Sequence, residues 1–291
     1  MPSFRQIRRR IRSIQNTKQI MRAMQLVSGS KFKRAQSRLM QSRVVLEFLD
    51  GLLQRVLAAS PDLQHPLTTH NEQAPSALLV VTSDTGLAGS YNTNLIQLAE
   101  AELRRDSARR TELNFLGKKG SRYFSKRGYA AKEAWLGLAG RPDIKRIDEI
   151  GQQALGRFLS GQIGSVKLLY ARFVSPMVSK PTVRQWLPIQ LERTNGPTGD
   201  EANRLADEYI FEPSAQAVFE DLLPRWAMAT FRCAILEAFT SEHGARMIAM
   251  KNATDNAEEL VGTLTLQRNK LRQTTITKEL SEIVGTAEAL K

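Results

Sequence analysis

Of the 11 prolines in this 291-residue chain, all except Pro2 lie between Pro61 and Pro224. A proline inside a helix removes a backbone donor and clashes with the preceding turn, at a cost of about 3 kcal/mol. Residues 3–60 and 225–291 are therefore free to run as uninterrupted helices, on the order of 80 to 100 Å long at roughly 1.5 Å per residue. Helices of that length exceed what a globular core can cover and need an elongated partner.

The apolar pattern identifies that partner. In the first flank Ile7, Ile11, Ile14, Met21, Phe32, Ala35, Leu39, Leu46, Leu49, Leu53 and Val56 recur in steps of four and three, a heptad seam. Lys18, Gln25, Ser28 and Ser42 fill its missing positions, where polar residues set register or meet a partner at some expense of stability. The second flank carries Met250, Ala253, Ala257, Leu260, Leu264 and Leu271, then a seam of displaced phase through Ile276, Leu280, Ile283, Ala287 and Leu290. Two stripes too narrow to stand alone pair most economically with each other. The expectation is an antiparallel coiled coil with the Ile14 side near the Leu280 side.

Between the flanks the pattern alternates. Residues 77–82 read as a buried strand, followed by the turn Ser83-Asp84-Thr85-Gly86-Leu87-Ala88-Gly89-Ser90 and a helix over 92–105. Residues 113–116 give a second strand before a basic helix near Lys118, and 147–159 another helix. Residues 166–175 and 183–189 read as longer strands joined through Val178-Ser179-Lys180-Pro181, with 208–212 as a last short strand. A small mixed sheet covered by helices is expected. Domains then fall at 1–60, 61–213 and 214–291.

Composition narrows the functional classes. The longest apolar run, residues 77–81, is far short of the roughly 20 residues a membrane helix needs. No apolar leader is evident, so the N-terminus reads as mature structure. Cys233 is the single cysteine, which leaves no internal disulfide or thiolate metal cluster and reads as core filler. The net charge of +13 calls for an acidic partner, and twelve Arg and Lys precede the first acidic residue, Glu47.

Three motifs have a chemical reading and a plain one. The glycine turn after the first strand sits where backbone N–H groups cradle phosphate, but it lacks a Gly-Lys-Ser/Thr ending and does not fit a dinucleotide fingerprint. The plain reading is a tight turn. His65 and His70 fall in a proline-rich linker, while the Glu242-His243 pair reads as a solvated helix face; no catalytic or metal-binding constellation emerges. The basic first helix fits nucleic acid by charge, yet lacks interleaved aromatics for base stacking.

Ile11-Arg12-Ser13-Ile14-Gln15-Asn16-Thr17, then Ile20-Met21-Arg22-Ala23-Met24-Gln25-Leu26-Val27 and Lys31, resembles the N-terminal helix of the gamma subunit of rotary ATP synthases. The resemblance continues in Glu242-His243-Gly244-Ala245-Arg246-Met247-Ile248-Ala249-Met250-Lys251-Asn252-Ala253-Thr254-Asp255-Asn256-Ala257. It extends through Asn269-Lys270-Leu271-Arg272-Gln273 and Ile276-Thr277-Lys278-Glu279-Leu280-Ser281-Glu282-Ile283-Val284-Gly285, and the middle adds Ser83-Asp84, Gly86-Leu87 and Asn92. It implies an α/β fold class: a long antiparallel coiled coil of N- and C-terminal helices plus a small Rossmann-like α/β domain. It also implies a non-catalytic central rotor shaft without cofactors, which couples proton translocation to ATP synthesis or hydrolysis. Its partners would be the alpha and beta subunits, the epsilon subunit and the c-ring, on the cytoplasmic side of a bacterial inner membrane and with no span of its own.

Residue by residue, the resemblance implies that Arg22 and Met24 face a beta-subunit loop and that Arg246 is coupled to Met24. Arg272, Gln273 and Thr277 would form a catch on beta-subunit loops, and Tyr209 and Glu212 a foot toward epsilon and the c-ring. Arginine's planar fork suits such contacts. Four departures stand out: Thr85 where the family commonly has arginine, Ala88 where cysteine is common, the order Lys18-Gln19, and Pro224, expected to start or kink the final helix.

Overall fold

The computed structural model describes residues 3–69, 71–105, 111–138, 143–191 and 211–289. They form two compact units, one of residues 1–28 with 246–291 and one of residues 29–245. Two helices contribute to both: α1, Phe4–Ala59, and the terminal helix introduced below as α5.

In the larger unit a five-stranded sheet has the order β3-β2-β1-β4-β5. Its elements in chain order are β1 (Ser76–Val81), α2 (Tyr91–Arg105), β2 (Thr111–Leu116), α3 (Lys118–Ser125), β3 (Ala131–Trp135), α4 (Ile144–Leu159), β4 (Ser165–Phe173), β5 (Ser179–Leu187) and α5 (Ala215–Ala289). The first four strands pair in parallel, as helical crossovers require, and β5 returns antiparallel through a hairpin. Strand β1 is buried on both faces, which explains its unbroken apolar run. Ala77, Leu79, Val81, Leu168 and Tyr170 face a core built with α1, α4 and α5, while Leu78, Val80, Leu169 and Ala171 face α2 and α3.

Strand β3 was not legible as a strand: Ala131–Trp135 is short, alternates only weakly and lies at the sheet edge. Strand β5 begins at Ser179, so the segment expected to link two strands belongs in part to the second, and Pro181 is tolerated because β5 is the other edge. Of the expected strand at 208–212, residues 208–210 lie outside the described residues and 211–212 are not strand.

Helix α5 runs through Pro224 instead of starting there. Its opening turns bury Phe219, Leu222 and Leu223, enough apolar surface to offset the one lost backbone bond. Within this unit residues 29–59 of α1 and 215–245 of α5 run antiparallel: Arg43 meets Glu237 at 2.6 Å and the Trp226 indole donates to Asp50 Oδ1 at 3.2 Å. The expected solvated face at Glu242-His243 is instead interior, with both residues 2% exposed. Here α5 is covered on several sides at once, since Tyr91 donates to the Ala238 carbonyl and Ser241 to the Ala171 carbonyl.

Candidate functional site

In the smaller unit residues 4–28 of α1 pair with part of α5. Ile7 and Ile11 bury against Leu264, with Ile14, Val261 and Leu271 around them, and Lys18 Nζ reaches Glu258 Oε1 at 2.8 Å. Rising numbers on one helix meet falling numbers on the other, so the pairing is antiparallel. The polar seam position at Lys18 thus makes a register-setting bridge. Its hydrogen bond, then its charge, hold the Glu258 carboxyl below the usual glutamate range, and Arg22 adds to the effect.

The seam stops earlier than its sequence. From Arg272 to Thr286 every residue of α5 is exposed, and Ile276, Leu280, Ile283 and Val284 are 48–64% exposed. Ile14 therefore sits with Val261 at the Ile7, Ile11 and Leu264 cluster, not near Leu280. The reason is register: with Lys18 opposite Glu258 in an antiparallel pair, the start of α1 at Phe4 falls level with about Arg272, so no described residue of α1 covers the later turns.

What this leaves is a polar collar followed by an apolar stripe at helical spacing. Arg272, Gln273 and Thr277, the three residues expected to form a catch, are all exposed on that collar. Thr274, Thr275, Thr277 and Ser281 turn their hydroxyls onto carbonyls four residues back, at 2.9–3.0 Å. Such back-bonding satisfies the hydroxyl within the helix and leaves the threonine methyls outward. The guanidinium of Arg272 and the amide of Gln273 are the groups best able to reach another chain.

The other expected contact residues divide. Arg22 is exposed and Met24 half-buried on α1. Arg246 is only 7% exposed, so its side chain acts inside the protein, whereas Glu212 is exposed ahead of α5. Tyr209 lies outside the described residues.

The glycine turn of the larger unit is closed by its own side chains. Asp84 Oδ1 accepts from the Lys118 and Gly137 backbone N–H groups, each at 3.1 Å, and so fills the anion position at the start of α3. Ser83 N–H donates to Asn92 Oδ1 at 3.0 Å, and Thr82 Oγ1 accepts from Gly120 N–H at 2.9 Å. Positive φ falls on Leu87 and Gly89, not on Gly86. The Ser83, Lys118 and Gly120 N–H groups at the turn and at the start of α3 are thus already engaged.

An open pocket of about 500 Å³ between the segment 64–71 and the end of α4 is lined by Gln64, His65, Thr69, Asn71 and Phe158 among others, with His65 the one ionisable side chain in its described lining. Burial lowers the His65 pKa, and Nδ1 accepts from Leu67 N–H at 3.0 Å. No group of three or more potential metal ligands occurs among the described residues. None of their helices is long and apolar enough to cross a membrane.

Sequence reasoning missed one charged cluster that joins the two long helices. Arg43 donates to Glu237 and, at 3.3 Å, to the Phe173 carbonyl at the end of β4. Burial and then the Glu237 charge push up the Tyr170 hydroxyl and the Cys233 thiol beside it. The signal was in the sequence: Arg43 interrupts an apolar face opposite Glu237 on the other flank.

The model of the ATP synthase family matches residues 3–290, nearly the whole chain. Curated relatives named ATP synthase gamma chain cover it end to end. That of Pelotomaculum thermopropionicum is 40% identical over 291 residues and that of Heliobacterium modesticaldum 38% over 297, with 100% of both chains covered in each case. The chain belongs to the ATP synthase gamma-chain family. Solved structures agree in fold. A chain of the Euglena gracilis mitochondrial ATP synthase superposes with a TM-score of 0.66 over 99% of this chain and 94% of its own, at 19% identity. One from the Tetrahymena thermophila central stalk and c-ring gives 0.58 over 80% and 99%, at 22% identity. Both of those chains were solved within larger assemblies.

Proposed function

We infer that this gamma chain is the central rotor shaft of an ATP synthase, carrying torque between a membrane c-ring and a catalytic head of alpha and beta subunits. The observation that carries the reading is the end of α5, where a polar collar and an apolar stripe lie open past the last paired turn. Exposed apolar stripes of that kind mark protein contacts. The polar collar offers Arg272, Gln273 and Thr277 as a catch on beta-subunit loops. Arg22, Met24 and Arg246 would support the shaft at the next level, with Tyr209 and Glu212 in the foot toward epsilon and the c-ring. In functional terms the helical flanks 1–60 and 214–291 form the shaft, and 61–213 the domain that takes up load near the membrane.

The shaft itself performs no bond chemistry. An asymmetric axle presents a different face to each catalytic site, so nucleotide affinity differs between sites. By linkage, nucleotide binding must then favour particular shaft angles by the same free energy. Rotation converts those differences into ordered binding, reaction and release. The protein would lie peripherally on the cytoplasmic side of the bacterial inner membrane, with its positive charge facing acidic partner loops.

Reconstitution tests this. The double variant Arg272→Ala, Gln273→Ala should fold normally and join the complex, while proton pumping per ATP hydrolysed falls. Full coupling in that variant would remove the catch from the mechanism, and failure of the wild-type chain to join an alpha/beta head would remove the rotor reading itself.

A further inference from the structure

The connection between α1 and β1 is seated on the core by one short turn. Pro66–Thr68 form a turn of 3₁₀ helix that drives Leu67 into the main core, where it is 0% exposed. The Leu67 carbonyl accepts from Ile189 N–H at 2.7 Å, just past β5. The Gln64 carbonyl accepts from the Gln216 side chain at 3.5 Å, in the first turn of α5.

His65 starts this turn in an unusual way. A helix N-terminus leaves backbone N–H groups without intrahelical acceptors, and a side-chain oxygen commonly satisfies one of them. Pro66 has no N–H, and Thr68 N–H bonds the His65 carbonyl at 2.9 Å, so the donor left over is Leu67 N–H. Here the acceptor is an imidazole nitrogen, His65 Nδ1, at 3.0 Å. A backbone N–H can only donate, so this nitrogen carries no proton and the ring is the Nε2–H tautomer. The imidazolium has donors on both nitrogens. Capping and protonation of His65 therefore exclude each other, as they would not for a serine or asparagine cap.

The surroundings favour the capped form. His65 is half-buried, with its ring edge-on to Phe219 at a centroid distance of 6.1 Å, and Phe158 and Leu159 at the end of α4 share the pocket it lines. Burial lowers the His65 pKa by more than the charge of Glu220, from α5, raises it. Asp62 and Glu72, on the same connection, are exposed.

We propose that His65 is a pH-sensitive latch: neutral, it caps the turn that seats Leu67; protonated, it gives up Leu67 N–H and loosens the connection from Ile189 and α5. The folded pKa is depressed, so the latch contributes fully above the ordinary histidine value and its contribution is lost as pH falls through the depressed one. The device is separate from the α5 catch and does not depend on the rotor reading.

The test follows hydrogen exchange of the Leu67 amide in the full-length chain, corrected for the intrinsic rate. Protection should fall threefold or more between about pH 7.5 and about pH 5.5, with a ceiling of roughly tenfold set by one pH unit below an ordinary histidine. His65→Asn supplies a cap oxygen that does not titrate, so its protection should stay level across that range. Glu220→Gln leaves the cap in place but removes the charge that favours the imidazolium, so the fall should move to lower pH. Ring-nitrogen chemical shifts at neutral pH should show Nδ1 unprotonated. Wild-type protection independent of pH, an equal fall in His65→Asn, an onset unmoved or raised by Glu220→Gln, or a protonated Nδ1 at neutral pH would each overturn the latch.

Discussion

Replacing Arg43 by methionine should destabilise the larger unit by about 2 to 3 kcal/mol. Burial alone disfavours the Arg43 charge, but the Glu237 hydrogen bond and charge more than offset it, so its pKa is raised. The pair meets at 2.6 Å, with the Glu237 side chain 10% exposed and that of Arg43 33% exposed. Removing one partner of a fully buried pair costs about 3 to 5 kcal/mol, because the other charge is left uncompensated. Water reaches a third of Arg43, which reduces that figure, and methionine keeps most of the packing of the arginine stem. For a unit of this size the loss corresponds to a fall in Tm of roughly 4 to 12 °C. Circular dichroism and the fluorescence of Trp186 and Trp226 would follow it. Adding Glu237→Leu should restore stability to within about 1 kcal/mol of wild type, since an apolar pair of similar volume replaces a buried ion pair at little cost. A single variant that loses less than about 0.5 kcal/mol, the range of surface pairs, would refute the reasoning. So would a double variant no better than the single.

Three further outcomes are expected. Gly117→Ala should abolish stable folding of the sheet, because its φ of +106° disfavours a side chain and the added Cβ would lie 2.0 Å from the Thr82 carbonyl oxygen; soluble, cooperatively melting protein would contradict this. Lys18→Met should return Glu258 to the ordinary glutamate range in carboxylate NMR titrations. Its folded pKa is depressed, so its stabilising contribution is present above the ordinary glutamate value and lost as pH falls through the depressed one; an unchanged titration would deny the bridge its role. Cys233, with its thiol raised by burial and the Glu237 charge, should resist iodoacetamide at pH 8 until the chain is unfolded, and quantitative labelling of native protein would show that the site opens.

The elements written in period were legible. Ile7, Ile11, Phe32, Ala35, Leu39, Leu53 and Val56 are buried as their heptad spacing predicts, because a narrow stripe on a proline-free helix has one way to leave water. Strand β1 was equally plain. What escaped were features fixed by register and crossing, which no single segment encodes. The seam through Ile276, Leu280 and Ile283 has the right spacing but no opposing turn of α1, so it ends up exposed. Glu242 and His243 looked like a wetted pair and are interior, because packing around α5 overrides the polarity of two residues. Of the residues expected to make contacts, Arg272, Gln273 and Thr277 are exposed, while Arg246 turned inward was not foreseeable from its charge.

In parallel sheets the groove at the carboxyl ends of the strands, where the strand order reverses, is the customary berth for a small molecule. Here the order reverses between β1 and β4, and the chain moors α5 to that neighbourhood through Tyr91 and Ser241. A place that evolution elsewhere uses to hold a cofactor serves as a rivet. Twisting load on α5 between residues 238 and 241 would pass into the strand ends, along the stiffest direction a sheet possesses.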